Sequence, residues 1–277
     1  MTADFHGLPT RSLANQHLRV DYLAQAGPRL VRLFLAGSEA NLLAEAPDLS
    51  WETPFGEYRL YGGHRLWHAP EAFPRTYLPD SEGLAVDEFD GGVRLRQPTE
   101  RVTSIQKSME LRLDPDRPAL TVQHSLHNVG LWPVELAPWA ITQAPLGGVA
   151  VLPQQAPVPS QYLPNRQLNF WSYTQVRDPR LRLDDDLMLI DGRAGEEAFK
   201  IGYFNHAGWM GYLLGDIFFV KRFTPQPTLP HPDMHSNCEV YVWNRFLEVE
   251  TLGPLATLDP GAAIVHIETW ELHRVPG

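Results

Sequence analysis

The chain has 277 residues, of which 21 are Gly and 25 are Pro, and 43 % are hydrophobic. Gly and Pro together exceed the roughly 12 % of average usage and rule out long helices or a coiled coil, while the apolar content supports a sizeable core and excludes a disordered chain. A formal net charge of −10 excludes the basic footprint of a nucleic-acid binder and disfavours adsorption to anionic membranes.

The opening Met1-Thr-Ala-Asp-Phe-His-Gly7 has no basic region followed by an apolar one, so no signal peptide is expected. No run approaches the ~18 apolar residues of a membrane span. Leu18, Val20 and Tyr22 then alternate with Arg19 and Asp21, and Gly27-Pro28 turns the chain into Leu30–Leu35. Val86–Phe89 meets Val93–Leu95 across Asp90-Gly91-Gly92, a hairpin signal. Ile105, Lys107, Met109, Leu111 and Leu113 share one face of a strand. Asp114–Pro118 turns the chain, and Leu120, Val122, His124 and Leu126 alternate on the way back. From Gly147 to Asp178 lies a Pro-rich, irregular excursion with Tyr162, Phe170, Trp171 and Tyr173, of a length that is usually functional. Further strands are expected over Phe199–Phe204, Trp209–Leu214, Ile217–Phe223, Glu239–Trp243, Phe246–Thr251 and Ala262–Leu272. No segment has the apolar spacing of a three-turn helix. The expected fold is all-β, a sandwich or barrel formed by one domain over residues 1–277.

The densest constellation is Tyr61-Gly-Gly-His64-Arg65-Leu-Trp67-His68-Ala-Pro70-Glu71. In an extended segment His64 and His68 point one way, and Arg65 and Trp67 the other. These types suit a polyol site: imidazole for proton transfer, guanidinium for hydroxyl oxygens, indole for a sugar's apolar face. A loop with a satisfied core His and an amphipathic Trp is the bland alternative. In Phe246-Leu-Glu248-Val-Glu250, both carboxylates share a strand face, where mutual repulsion raises a pKa, unless the face is simply solvated. His231-Pro-Asp233-Met-His235 reads as a polar binding loop, with a divalent metal as the lesser alternative. His266 and Glu268 are expected to form hydrogen-bonded pairs within the sheet, and His124 and His127 to be structural. No nucleophile elbow, phosphate loop or dinucleotide fingerprint is present. Cys238 is the single Cys, so a cytoplasmic protein without metal or other cofactor is expected.

The tail, Phe246-Leu-Glu-Val-Glu-Thr-Leu-Gly-Pro254 with Leu258-Asp-Pro-Gly261 and Ile264–Trp270, resembles the end of galactose mutarotase-like (aldose 1-epimerase-like) proteins. Asn128-Val-Gly-Leu-Trp-Pro133 and Ala137-Pro-Trp-Ala-Ile-Thr142 resemble their central segment. Gly62-Gly-His-Arg-Leu-Trp67, with Ala69-Pro-Glu71, resembles an uncharacterised branch. The resemblance runs from about Leu18 to Leu272. It implies a large antiparallel β super-sandwich and a small-molecule carbohydrate partner, with neither nucleic acid nor membrane. It further implies an isomerase in which Glu250 is the base and His64, or else His68, the acid. Arg65, Trp67, Glu71, Trp139 and Asp233 would then bind the sugar. Ala137–Thr142 lacks the His that the epimerases carry there, and a non-catalytic carbohydrate-binding domain is the alternative. Trp67 and Trp139 fall in motifs that the resemblance places near the ligand, Trp171 sits in the long loop, and Trp51, Trp132, Trp209, Trp243 and Trp270 are expected in packing.

Overall fold

A computed structural model describes residues 3–195 and 197–276. Two antiparallel sheets, of eleven and ten strands among the described residues, face each other. The eleven-stranded sheet runs in the order Ala3–Phe5, Leu8–Ala14, Leu18–Leu23, Arg29–Leu35, His64–Ala69, Val134–Ala144, Leu247–Leu252, Cys238–Val242, Phe199–Tyr203 and Asn169–Phe170. Its remaining strand, Ala256–Leu258, pairs with Val134–Ala144. The ten-stranded sheet runs Leu181–Leu183, Leu187–Asp191, Val149–Pro153, Trp209–Leu214, Ile217–Phe223, Ala263–Arg274, Ala119–Asn128, Ile105–Leu113, Gly92–Arg96 and Ala85–Phe89. A separate ribbon, Glu45–Thr53 with Gly56–Gly62, stands beside them. No helix among the described residues is long and apolar enough to cross a membrane.

Period 2 shows most clearly in the ten-stranded sheet. Along Ile105–Leu113, the residues Ile105, Lys107, Met109 and Leu111 are buried and those between them are not. The inward faces of the two sheets form the main core, with Leu18, Val20, Leu111, Val122, Val240, Val249 and Trp270 among its members. The middle of the eleven-stranded sheet behaves differently. His64–Ala69 and Leu247–Leu252 are buried at every position, as is Val134–Ala144 from Leu136 onward. Strands covered on both faces need a second layer, and the ribbon, the Pro70–Tyr77 segment and the 154–178 excursion supply it.

Gly62 and Gly63 bring these layers together. Both have positive φ, +93° and +69°, and a Cβ would stand 2.2 Å from the Ala44 carbonyl oxygen at Gly62 and 1.9 Å from that of Leu30 at Gly63. The pair lets one backbone lie directly against another, closing the ribbon onto the sheet. Asn128 similarly fixes its turn, donating through Nδ2 to the Trp132 and Leu258 carbonyls while Oδ1 accepts from the Gly130 N–H. Trp132, expected in packing, is mostly exposed on that turn, because the turn points away from both sheets.

Candidate functional site

Opposed residues on neighbouring strands face the same side, so register assembles the site. One row across the outer face of the eleven-stranded sheet runs Arg65, Ile141, Glu250, Glu239, Gly202 and Asn169. The next runs Gln143, Glu248, Tyr241 and Lys200. Trp67, Trp139 and Leu252 form a third. Above them opens a cavity of about 600 Å³ lined by Trp51, Glu71, Phe73, Tyr77, Trp139, Trp171, Lys200 and Asp233. An adjoining recess of about 390 Å³ shares five of these side chains and adds Arg65, Trp67, Tyr173, Tyr241, Trp243, Phe246 and Glu248.

Lys200 is the electrostatic centre. Its ammonium is 2.8 Å from Glu239 Oε2 and 3.0 Å from Glu250 Oε2, and lies 4.6 Å from the Trp139 ring centroid and 4.7 Å from that of Trp171. Burial alone would lower its pKa, but the two carboxylates outweigh burial and hold it well above the usual lysine range. Lys200 is therefore a fixed cation and hydrogen-bond donor, not a nucleophilic amine. Burial raises Glu239 well above the carboxylate range, with Lys200 opposing and Glu250 and Asp233 reinforcing. Glu250 has no exposed surface, and its Oε2 accepts from the Trp139 indole N–H at 2.7 Å and from Lys200. Its Oε1 is buried without a hydrogen-bond partner. Glu248 accepts from Arg65 at 3.0 Å and Gln143 at 2.9 Å, and burial raises its pKa against the pull of Arg65. Arg65 lies over the Trp67 ring, 4.3 Å from its centroid.

Asp233 reaches the cavity from an unusual backbone. Asp233, Met234 and His235 have φ of +50°, +58° and +67°, three consecutive left-handed residues with no Gly among them. Each costs roughly 1–2 kcal/mol, so the turn persists only because its surroundings hold it. Asn169 Nδ2 donates to the carbonyls of Asp233 and Met234, both at 3.1 Å, and to Ser236 Oγ at 2.9 Å. Gln167 Nε2 donates to the Met234 carbonyl at 2.6 Å. On the opposite rim, the Tyr77 hydroxyl donates to Glu71.

The structure brings Arg65, Trp67, Glu71, Trp139, Asp233 and Glu250 together around one cavity or directly beneath its floor. It does not bring His64 or His68 there. Both point into the sandwich, as strand period requires of residues alternating with Arg65 and Trp67. His64 Nε2 lies 2.7 Å from His124 Nε2, and its Nδ1 is 2.8 Å from Thr142 Oγ1. His68 lies 3.2 Å from Glu100, which also pairs with Lys107 at 2.6 Å. Burial depresses both imidazoles, His64 far below the ordinary value with His124 and Lys221 adding to the effect. Ligand-type atoms of His64, His124 and Glu268 lie within 4.8 Å of one another. The Lys221 ammonium, 2.8 Å from Glu268, already supplies the positive charge there. Within its own sheet Glu268 accepts from the Trp270 indole N–H at 2.7 Å and lies 2.8 Å from the Lys221 ammonium, while it and His266 meet through Thr251 of the facing sheet. His231 and His235 pack on Phe204, with His235 stacked at 4.7 Å, so the loop sends only its carboxylate to the cavity. Trp51 and Trp243, expected in packing, line the site, Trp243 while also packing against Phe246 and the core beneath it.

Lys200 and Glu239 carried no signal in the sequence. Their chemistry appears only when the register sets Glu239 opposite Glu250 and Lys200 beside both.

No family model and no curated protein matches the chain. Solved structures do. A TPR-domain containing protein from Parabacteroides distasonis superposes at TM-score 0.68 and 14 % identity, covering 98 % of this chain and 48 % of the other, so this chain spans about half its length. A candidate aldose 1-epimerase from Escherichia coli gives 0.60 at 14 % identity, covering 97 % of this chain and 100 % of the other. A galactose mutarotase-like protein from Clostridium acetobutylicum gives 0.57 at 11 %, covering 99 % and 97 %. The chain has the galactose mutarotase-like fold. The expected all-β super-sandwich is the observed one.

Proposed function

We propose that this cavity binds a neutral sugar and interconverts its anomers, as an aldose 1-epimerase-like isomerase. One observation carries the reading: Trp51, Trp139 and Trp171 surround a sugar-sized volume into which Glu71, Asp233 and Lys200 project. Indole faces suit the C–H faces of a pyranose, and the charged groups suit its hydroxyls. Glu71, Asp233, Glu239, Glu248 and Glu250 outnumber Arg65 and Lys200, which disfavours phosphorylated sugars. Glu250 is assigned as proton acceptor, because its buried Oε1 has no hydrogen-bond partner while Oε2 is held by Trp139 and Lys200. With both imidazoles turned inward, the acid comes from another group.

A second reading rests on the same carboxylate. Glu250 has no exposed surface beneath Lys200 and Trp139, and in a protein that only binds the sugar it would do no more than hold those two side chains in place. Exchange NMR of glucose, galactose and xylose anomers with purified protein decides between them. The isomerase reading expects exchange faster than in buffer, reduced roughly 10²–10⁴-fold by Glu250→Gln. Tryptophan quenching by sugar without enhanced exchange would establish binding alone, and neither response would refute both.

A further inference from the structure

We propose that the ligand is longer than one ring: a reducing disaccharide, or the reducing end of an oligosaccharide, with its last ring in the main cavity and the next ring in the adjoining recess. This second subsite presupposes the neutral-sugar reading above and names the class of sugar.

The space is there for two rings. The cavity has about 600 Å³ and the recess about 390 Å³, and each alone exceeds the roughly 300 Å³ at which ligand pockets begin. They share Trp51, Glu71, Tyr77, Trp139 and Lys200, so one opens into the other along common walls.

Aromatic rings line both volumes without a break. Phe73 stands 6.0 Å from Tyr77, Tyr77 5.0 Å from Trp67, and Trp67 5.4 Å from Trp139. On the recess side, Tyr241 and Trp243 lie 6.4 and 5.8 Å from Phe246. Trp51, Phe73 and Tyr173 remain 41 %, 64 % and 45 % exposed. Folding gains little from clustered rings left in water, whereas the C–H faces of successive sugar rings would cover them.

The recess also meets the needs of a second ring's hydroxyls. Both side-chain hydrogen bonds to Glu248, from Arg65 and Gln143, end on Oε1, so Oε2 is the acceptor it presents. The Tyr173 and Tyr241 hydroxyls bond to no described residue. Burial raises both phenols above their ordinary pKa, so both stay protonated and able to donate. A purely apolar group in the recess would leave these partners unmet, and a phosphate would face the Glu248 carboxylate.

Isothermal titration tests the second subsite. The pairs are maltose, cellobiose, laminaribiose and gentiobiose against glucose, xylobiose against xylose, and galactobiose against galactose. At least one disaccharide should bind roughly tenfold or more tightly than its monosaccharide. Tyr173 lies outside both sheets and is half exposed, so Tyr173→Ala leaves the core intact. That variant should cut the disaccharide's advantage to within about twofold and leave the monosaccharide affinity in place. Arg65→Lys, which keeps a cation beside Glu248, should shrink the same ratio. Monosaccharide binding with no disaccharide preferred overturns the second subsite and leaves the neutral-sugar reading standing. An advantage that survives in both variants overturns its placement in the recess. No binding of any of these sugars overturns both.

Discussion

Replacing Lys200 by Met removes the one cation between two buried carboxylates that stand directly opposite each other across a strand pair. At an effective dielectric of 20, ion pairs of 2.8 and 3.0 Å are each attractive by about 6 kcal/mol before desolvation. Breaking a buried pair from one side costs roughly 3–5 kcal/mol net, because the abandoned charges remain in low dielectric. That is a large share of the ~5–15 kcal/mol of a typical domain, and corresponds to a fall in Tm of about 6–20 °C. The loss should depend on pH. Glu239 already has a raised pKa with Lys200 opposing, so removal of Lys200 raises it further. A carboxyl whose folded pKa exceeds its unfolded value binds an extra proton on folding. Its contribution is fully present below the unfolded value of 4.5 and is lost as pH rises through the folded one. Urea denaturation of Lys200→Met should therefore show the full deficit at pH 8 and a much smaller one at pH 5. A variant within about 1 kcal/mol of wild type at pH 8, or a deficit that grows on acidification, would refute the electrostatic account.

Gly63→Ala should cost more than about 3 kcal/mol or prevent folding, as seen by urea denaturation, because no side chain is there to yield to a Cβ lying 1.9 Å from the Leu30 carbonyl oxygen. His64, His124 and His266 are all depressed by burial, His266 to about 3, so these three bind fewer protons folded than unfolded and their contribution is lost as pH falls below 6.5. Where all three are neutral folded and protonated unfolded, stability should fall by about 4 kcal/mol per pH unit, and a flat urea midpoint between pH 6 and 4.5 would contradict this.

Alternation was legible where one strand face meets core and the other meets water, as in Ile105–Leu113. It was not legible where both faces are covered. Val134–Ala144 is buried from Leu136 onward, so its Leu-Ala-Pro-Trp-Ala-Ile has no period to read, and the resemblance alone pointed to it. The cavity was half legible. Arg65, Trp67 and Glu250 sit in dense local motifs, and period 2 correctly separated Arg65 and Trp67 from the two His. Lys200 lies in Phe199-Lys-Ile-Gly-Tyr203, indistinguishable in one dimension from any strand lysine. Its partners are 39 and 50 residues away, and only the pairing of three strands brings them within 3.0 Å.

The central strands carry two polar layers back to back, and this decides how the glycine-glycine motif should be understood. His64 faces His124 and Trp270 inside, and Arg65, one residue on, faces Glu248 outside. Glu250 pairs with Lys200 on the outer face while neighbouring Thr251 binds His266 and Glu268 in the interior. Strand geometry forbids consecutive residues from acting on one ligand, so the dense local clustering of catalytic residue types overstated the chemistry available at the cavity. His64 and His124 are committed to an interior network with Thr142 and the His266 carbonyl, in which Lys221 balances Glu268. Turning His64 outward would reverse every side chain of its strand and bury Arg65 and Trp67 in the core. Any proton donor at the cavity therefore has to be a side chain that register and the surrounding loops place there, and neither His64 nor His68 is among them.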